Sequence, residues 1–165
     1  MPHKPTCLFI GRFQPYHIGH HLVVQGMTKL CCKVIIGIGS SDKSRTKDDP
    51  YSAQERKEMI QRALQLENII PVFDVNFVEL PDHPDDATWT AQVLGKVGAV
   101  DQVWTGDAWT KKCFEGKVPV KDIKEVPGIS GKEIRKMVKE GGDWQEKVPA
   151  EIAVTMRELG LDRIK

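Results

Sequence analysis

TCLFIGRFQPYHIGHHLVVQGMTKLCCKVIIGIG, residues 6–39, holds the pattern that sets the fold. Thr6 to Ile10 is a short apolar run with a β-branched residue, and Gly11 stops it, which suits a buried central strand better than a helix of full length. After the polar and glycine-bearing stretch from Gly11 to Gly19, the apolar residues Leu22, Val23, Met27 and Leu30 recur at helical spacing. Lys33 to Gly39, KVIIGIG, is a second β-rich apolar run. Strand, helix and strand in one short unit predict a parallel pair, because parallel strands need a crossover of about a dozen residues or more. In such a sheet, loops and ligands gather at the carboxyl ends of the strands.

The same alternation continues outward. Ser52 and Glu55 have the spacing of a capping box, and Met59, Ile60, Ala63, Leu64 and Leu66 carry a helix from there to about Glu67. Val72 to Leu80 reads as a third strand, Trp89 to Val97 as a helix, Gln102 to Thr105 as a fourth strand and Ala108 to Glu115 as a short helix. A fifth strand falls within Val118 to Val126, ended by Pro127 and Gly128. Ser130 and Glu133 repeat the capping box, with Ile134, Met137 and Val138 as the apolar face of a helix that stops at Gly141 and Gly142. Ala150 to Leu159 makes a last helix. The expected fold is α/β: a single doubly wound, Rossmann-like domain over residues 1–165, with about five parallel strands and a C-terminal helical segment from about residue 143.

Composition limits the function classes. The chain has 165 residues, 40% of them hydrophobic, and a chain of that size buries roughly 70% of the surface its unfolded form exposes. That supplies a core without metal or disulfide staples. Lys and Arg number 24 against 23 Asp and Glu, a formal charge of +1, so no bulk positive field is available for nucleic acid and any functional charge is local. Neither a membrane-spanning run nor a secretory leader is visible, and a cytoplasmic protein is expected. Cys7, Cys31, Cys32 and Cys113 include an adjacent pair and no C-x-x-C, a pattern of inert thiols rather than of a zinc site or disulfide framework.

His17 and His20 sit three residues apart just after the first strand. If the helix begins near His17, their imidazoles share a face at its amino end, where unpaired N–H groups and the macrodipole favour an anion. Gly19 removes a side chain beside them, and Arg12 adds a planar fork suited to phosphate oxygens. Isolated histidines are as often satisfied structural residues as ligands, but this pair, with glycine between and a strand before, favours the ligand reading. His21 makes a third imidazole, yet it points about 100° away from His20 and no acidic or thiol ligand follows nearby, so zinc is not expected. At the distal capping box, Ser130 and Arg135 bring a hydroxyl, helix-start N–H groups and a guanidinium to one anion site; an ordinary helix with a solvated Arg is the plainer alternative. Ser40 to Pro50 is too long for a routine strand-to-helix loop. Ser40, Lys43, Ser44, Arg45 and Lys47 line it, and a merely solvated basic loop is its plainer reading.

GRFQPYHIGH, residues 11–20, resembles the first motif of the H-x-G-H nucleotidylyltransferases, and within them of the archaeal-type nicotinamide-nucleotide adenylyltransferases. IGSSDKSRTKDDPYSAQERKEMI, residues 38–60, is similar to that family's second-strand loop and following helix. Ile129-Ser130-Gly131-Lys132-Glu133-Ile134-Arg135 is similar to its I-S-x-T-x-I-R motif, with Lys132 where Thr is usual. The resemblance spans Cys7 to about Lys139; beyond Gly142 no motif matches.

What the resemblance implies is adenylyl transfer from ATP to nicotinamide mononucleotide, giving NAD and diphosphate. His17, His20, Arg12 and Arg135 are then the catalytic and phosphate-clamping residues. Gly11, Phe13, Gly19, Ser40, Ser130 and Lys132 belong to the ATP site, with Thr105, Gly106 and Asp107 near the adenine, Asp107 replacing the usual Asn. Asp82 and Trp89 would hold the nicotinamide end, Trp89 by stacking on the ring. Some relatives carry Arg where this chain has Asp48, which leaves Arg45 or Lys47 as substitutes. Mg²⁺ is expected to travel on the phosphate oxygens without a protein ligand set, and the family implies a homo-oligomer that binds neither nucleic acid nor membrane. The same chemistry on nicotinic acid mononucleotide, phosphopantetheine or flavin mononucleotide is the alternative, as is a non-catalytic nucleotide sensor.

Overall fold

The computed structural model describes residues 3–165. Five parallel strands, β1 (Thr6–Gly11), β2 (Lys33–Gly39), β3 (Val75–Leu80), β4 (Gln102–Thr105) and β5 (Val120–Asp122), form one sheet in the order β3-β2-β1-β4-β5. Six helices alternate with them: α1 (Ile18–Leu30), α2 (Ala53–Leu66), α3 (Asp86–Val97), α4 (Ala108–Phe114), α5 (Gly131–Glu140) and α6 (Ala150–Leu159). This is the doubly wound, Rossmann-like α/β fold that the strand-helix alternation predicts. Chain order reverses at β1, whose neighbours are β2 on one side and β4 on the other. The crevice between the carboxyl ends of β1 and β4 is therefore the topological switch point, where such folds bind ligands.

Side-chain alternation along β1 builds a core on each face. Cys7 and Phe9 pack with Val24 and Met27 of α1, Ile60 of α2, Ile134 of α5 and Ile152 of α6, while Leu8 and Ile10 face Val93 of α3 and Phe114 of α4. A strand buried on both faces reads as a continuous apolar run, which is why β1 and β2 stand out in the sequence. The C-terminal segment continues the first of these cores through Trp144 and Ile164, and Arg62 of α2 meets Glu151 and Glu158 across it.

Several boundaries differ from the sequence expectation, each for a local reason. β3 begins at Val75, not Val72: Val72 and Phe73 lie in the preceding turn, 72% and 41% exposed. The third helix starts at Asp86, three residues before Trp89, because the Asp85 carboxylate accepts the Thr88 N–H at 2.9 Å and caps it. On α1 the buried face is His21, Val24 and Met27, and Leu22 and Leu30 are half exposed. The Ser52–Glu55 capping box is complete, whereas at Ser130 the hydroxyl accepts the Glu133 N–H in a one-way cap.

Candidate active site

α1 begins one residue after His17, so both imidazoles stand at its amino end. His17 Nδ1 accepts the His20 N–H at 3.3 Å, and His20 Nδ1 accepts the His17 N–H at 3.1 Å. This is a capping box built from two histidines. A neutral ring that accepts at Nδ1 carries its proton on Nε2, so each ring presents an N–H donor outward. The rings are stacked, 3.6 Å between centroids at 17°, and Tyr16 covers the other side of His20 with centroids 5.6 Å apart. Burial pushes His17 down to about 4 and His20 well below the usual imidazole range, the latter also because His17 lies beside it. Both are neutral at pH 7, and each keeps its Nε2–H as a donor towards the cleft. Gly19 also has a packing reason of its own: a Cβ there would lie 2.9 Å from the His17 ring. It makes room for the imidazole itself. His21 turns away, with Tyr16 at its Nδ1 and Glu67 2.7 Å from its Nε2.

The cleft over these rings has two lobes, of about 440 and 260 Å³. Gly11, His17, His20, Asp107 and Ser130 line both, so the imidazoles stand where the lobes meet. Arg12, Phe13, Ser40, Asp82, Trp89, Lys132 and Arg135 line the larger lobe; Gly19, Thr105 and Gly106 line the smaller. The residues assigned to catalysis, to ATP and to the nicotinamide end thus all reach one cleft at the β1/β4 switch point, whereas Lys43, Ser44, Arg45 and Lys47 of the loop after β2 line neither lobe.

Their states within it refine the expectation. Arg135, far from being solvated, is buried, and its Nη1 donates to the Gln14 carbonyl at 2.8 Å, which fixes the fork in place. Gly131 is tied to the same contact, since a Cβ there would meet Arg135 Nη1 at 3.0 Å and Gln14 O at 3.2 Å. Arg12 is half exposed; its Nη2 donates to the Asp49 carboxylate and to the Asp48 carbonyl. Position 48 thus meets Arg12 through its backbone carbonyl. The loop cation that meets a cleft residue is Lys43, 3.0 Å from Asp82, while Arg45 lies 3.9 Å from Glu55. Asp82 also accepts the Ser40 hydroxyl at 2.9 Å, and Lys43 above all holds its carboxyl below the usual range, against the opposing effect of partial burial. Asp107 caps α4 through the Thr110 N–H and hydroxyl, at 2.9 and 2.8 Å, a role that Asn would fill equally well. Trp89 is both core and lining: 4% exposed, packed on Phe114, with one edge on the cleft.

Residues the sequence did not single out also bear on the site: Trp109, Gln14 and Glu125 line it, and Asp49 stands behind Arg12. Trp109 lies 4.6 Å from Trp89 and is 42% exposed over the larger lobe. Gln14 is buried and clamps Tyr51 through both its N–H and its carbonyl, at 3.0 and 2.9 Å. Asp49 is the buried partner of Arg12. An aromatic exposed near a helix start was the only available signal for Trp109; Gln14 and Asp49 act across some forty residues and leave none.

The cytidylyltransferase-like family profile matches residues 8–137. A nicotinamide-nucleotide adenylyltransferase of Thermococcus kodakarensis is 36% identical, the match covering 96% of this chain and 86% of that protein. Two crystal structures of a bifunctional NMN adenylyltransferase/ADP-ribose pyrophosphatase from Francisella tularensis, one complexed with AMP and a manganese ion, superpose with TM-scores of 0.81 and 0.77 at 20% and 21% identity. The superpositions cover 96% of this chain and 52% and 51% of those chains, so the chain spans about half their length and the likeness concerns the fold. The chain belongs to the cytidylyltransferase-like family and, within it, to the nicotinamide-nucleotide adenylyltransferases.

Proposed function

We propose that the two-lobed cleft joins ATP to nicotinamide mononucleotide, releasing diphosphate and forming NAD. A mononucleotide phosphate oxygen attacks the α-phosphorus of ATP in line, a P–O bond forms, and the bond to the departing diphosphate breaks. Such a reaction asks the protein for positioning and for donors aimed at developing charge rather than for a nucleophile. The observation that carries the reading is the position of the two Nε2–H donors where the lobes meet. With adenosine in the smaller lobe, the ATP phosphates pass the junction into the larger lobe, whose far end takes the mononucleotide. His17 and His20 contact the reacting and bridging oxygens, and Arg12 and Arg135 clamp the ATP phosphates. Lys132 and the Ser130 helix start take the outer phosphates. Among the described residues the Ser130 hydroxyl meets its cap partner alone, as acceptor, which leaves its proton for a ligand.

Thr105, Gly106 and Asp107 border the adenosine lobe, and Asp82 and Trp89 the nicotinamide end. Among the described residues no group of three or more His, Cys, Asp or Glu is placed to hold a metal ion, and Asp82 and Asp107 are committed to Lys43 and to a helix cap. A divalent cation, Mg²⁺ in this reading, is therefore carried on the phosphate oxygens. No helix among the described residues is long and apolar enough to cross a membrane; we place the enzyme in the cytoplasm, as a homo-oligomer of single-domain chains. The test is diphosphate release from ATP with nicotinamide mononucleotide, nicotinic acid mononucleotide, phosphopantetheine and flavin mononucleotide offered in turn. Release with none of the four sinks the reading.

A further inference from the structure

Arg56 is, among the described residues, the largest side chain with no exposed surface. A buried guanidinium is costly unless its charge and its five N–H groups are satisfied. Here the acceptors are backbone carbonyls: Nη1 donates to Arg12 O at 2.9 Å and Gly39 O at 2.7 Å, Nη2 to Ser40 O at 3.1 Å and Lys43 O at 3.4 Å, and Nε to Ser52 O at 3.2 Å. One side chain thus fastens the loop after β1, the loop after β2 and the start of α2. Burial holds its pKa down to about 10, so it remains charged at neutral pH behind both loops. The two loops touch directly as well: a Cβ on Gly39 would lie 3.3 Å from Gly11 O.

Those carbonyls determine where the next N–H groups point. In a trans peptide the N–H is antiparallel to the carbonyl, and neither the 12–13 nor the 39–40 bond is cis. Drawing Arg12 O and Gly39 O onto Arg56 turns the N–H groups of Phe13 and Ser40 away from it. Phe13 and Ser40 both line the larger lobe, and both hold positive φ, 55° and 46°, a conformation unfavourable for non-glycine residues that surrounding contacts must maintain.

We infer that Arg56 is a positioning residue for the phosphate site, holding the backbone of Arg12–Phe13 and Gly39–Ser40 so that it faces the substrate phosphates. This rests on the phosphate-transfer reading of the cleft. Arg56 touches no substrate; it acts through the two loops. Lys keeps the charge but has three donors and no planar fork, so it cannot hold five carbonyls at once.

The experiment compares Arg56→Lys with Leu64→Ala, a fully buried residue further along α2 that serves as a stability control. Both are assayed well below their melting temperatures, with circular dichroism confirming the fold. Arg56→Lys is expected to lower kcat/KM for ATP by about tenfold or more, as small misplacements of binding groups do, and Leu64→Ala to leave it within about twofold. Calorimetry with inorganic diphosphate, which needs no turnover, should show weaker binding to Arg56→Lys only. Equal kinetic and binding losses in the two variants would make Arg56 a fold residue and overturn the inference. So would failure of both Arg56→Lys and Arg56→Met to fold. A wild-type protein that binds diphosphate but transfers nothing to any acceptor would refute the proposed reaction instead, and the diphosphate comparison would still decide the role of Arg56.

Discussion

The imidazoles of His17 and His20 lie stacked with 3.6 Å between centroids, each holding the other's backbone N–H. Each ring is therefore at once a helix cap and, through Nε2, a donor to the cleft. Removing either loses both functions, so mutants must separate them. His20→Asn keeps an acceptor for the cap and moves the outward donor; His20→Ala removes both. A contact to oxygens gaining charge counts most in the transition state, and kcat should fall by about 10²-fold or more in each. Only the Ala variant should also lose the roughly 1 kcal/mol of the reciprocal bond from the His17 N–H to the residue-20 side chain. A correctly folded His20→Asn enzyme with nearly full turnover would reduce the residue to a cap.

The same pair makes a pH prediction with a definite sign. Burial lowers His17 from 6.5 to about 4 and also holds His20 well below the usual imidazole range. As pH falls below 6.5 the unfolded chain takes up these protons first, so acid favours unfolding. Stability should decline from about pH 6.5 towards 4, and the double variant His17→Asn, His20→Asn should decline less steeply over that interval. Thermal melts across the range decide it: parallel curves would mean that the two rings titrate alike in the folded and unfolded chains.

Arg135 carries a guanidinium with one arm fixed by the Gln14 carbonyl, leaving the other side of the fork for ligand. Lys in its place keeps the charge, loses the planar pairing, and cannot hold Gln14 in the same way. Arg135→Lys should raise the ATP KM by about tenfold, the scale of one charge-assisted hydrogen bond, and leave the mononucleotide KM nearly unchanged. Equal effects on both substrates would move Arg135 out of the ATP site.

What the sequence made legible, and what it did not, divides by range. Helix starts at His17, Ser52 and Ser130 could be read because a cap is a local chemical pattern, and β1 and β2 because a strand buried on both faces has no polar alternation. Leu22 and Leu30 misled because apolar spacing alone does not say which stripe faces the sheet. Arg135 was readable as an anion-site residue but not as a buried one, since its partner Gln14 lies 121 residues away. Arg56 and Asp49 were invisible as site residues for the same reason: Arg56 works through carbonyls, which every residue has, and Asp49 pairs with Arg12 across 37 residues.

Trp89 and Trp109 form a tilted pair, 4.6 Å between centroids, in which Trp89 is nearly sealed and Trp109 is open to the lobe. Their mutants should behave differently. Trp89→Ala empties a core position, costing about 3–5 kcal/mol of stability, and should raise the mononucleotide KM as well. Trp109→Ala touches little of the core, so its stability cost should be about 0.5 kcal/mol while the mononucleotide KM rises several-fold through loss of an exposed aromatic face. A Trp109→Ala enzyme with unchanged KM for nicotinamide mononucleotide would leave Trp89 alone as the ring platform.

Acceptor choice at that end turns on Asp82 and Lys43. An unpaired Asp82 carboxylate would repel nicotinic acid mononucleotide, whose ring bears a carboxylate, and would accept the amide N–H of nicotinamide mononucleotide. In the structure Asp82 is not unpaired: Lys43 lies 3.0 Å away and Ser40 donates to it at 2.9 Å. Lys43 itself is 54% exposed, so its attraction is screened by solvent and partly offsets the acidic charge rather than cancelling it. Two opposite shifts follow. Asp82→Ala should weaken use of the carboxamide acceptor and spare or improve use of the acid. Lys43→Ala, which bares the Asp82 charge, should widen the preference for the carboxamide by about two- to fivefold, the small effect of an exposed pair, and less at high salt. Steady-state kcat/KM for both acceptors in both variants tests the scheme. A Lys43→Ala enzyme that turned towards nicotinic acid mononucleotide would show that the ammonium, not the carboxylate, faces the ring substituent, reversing the assignment of the pair.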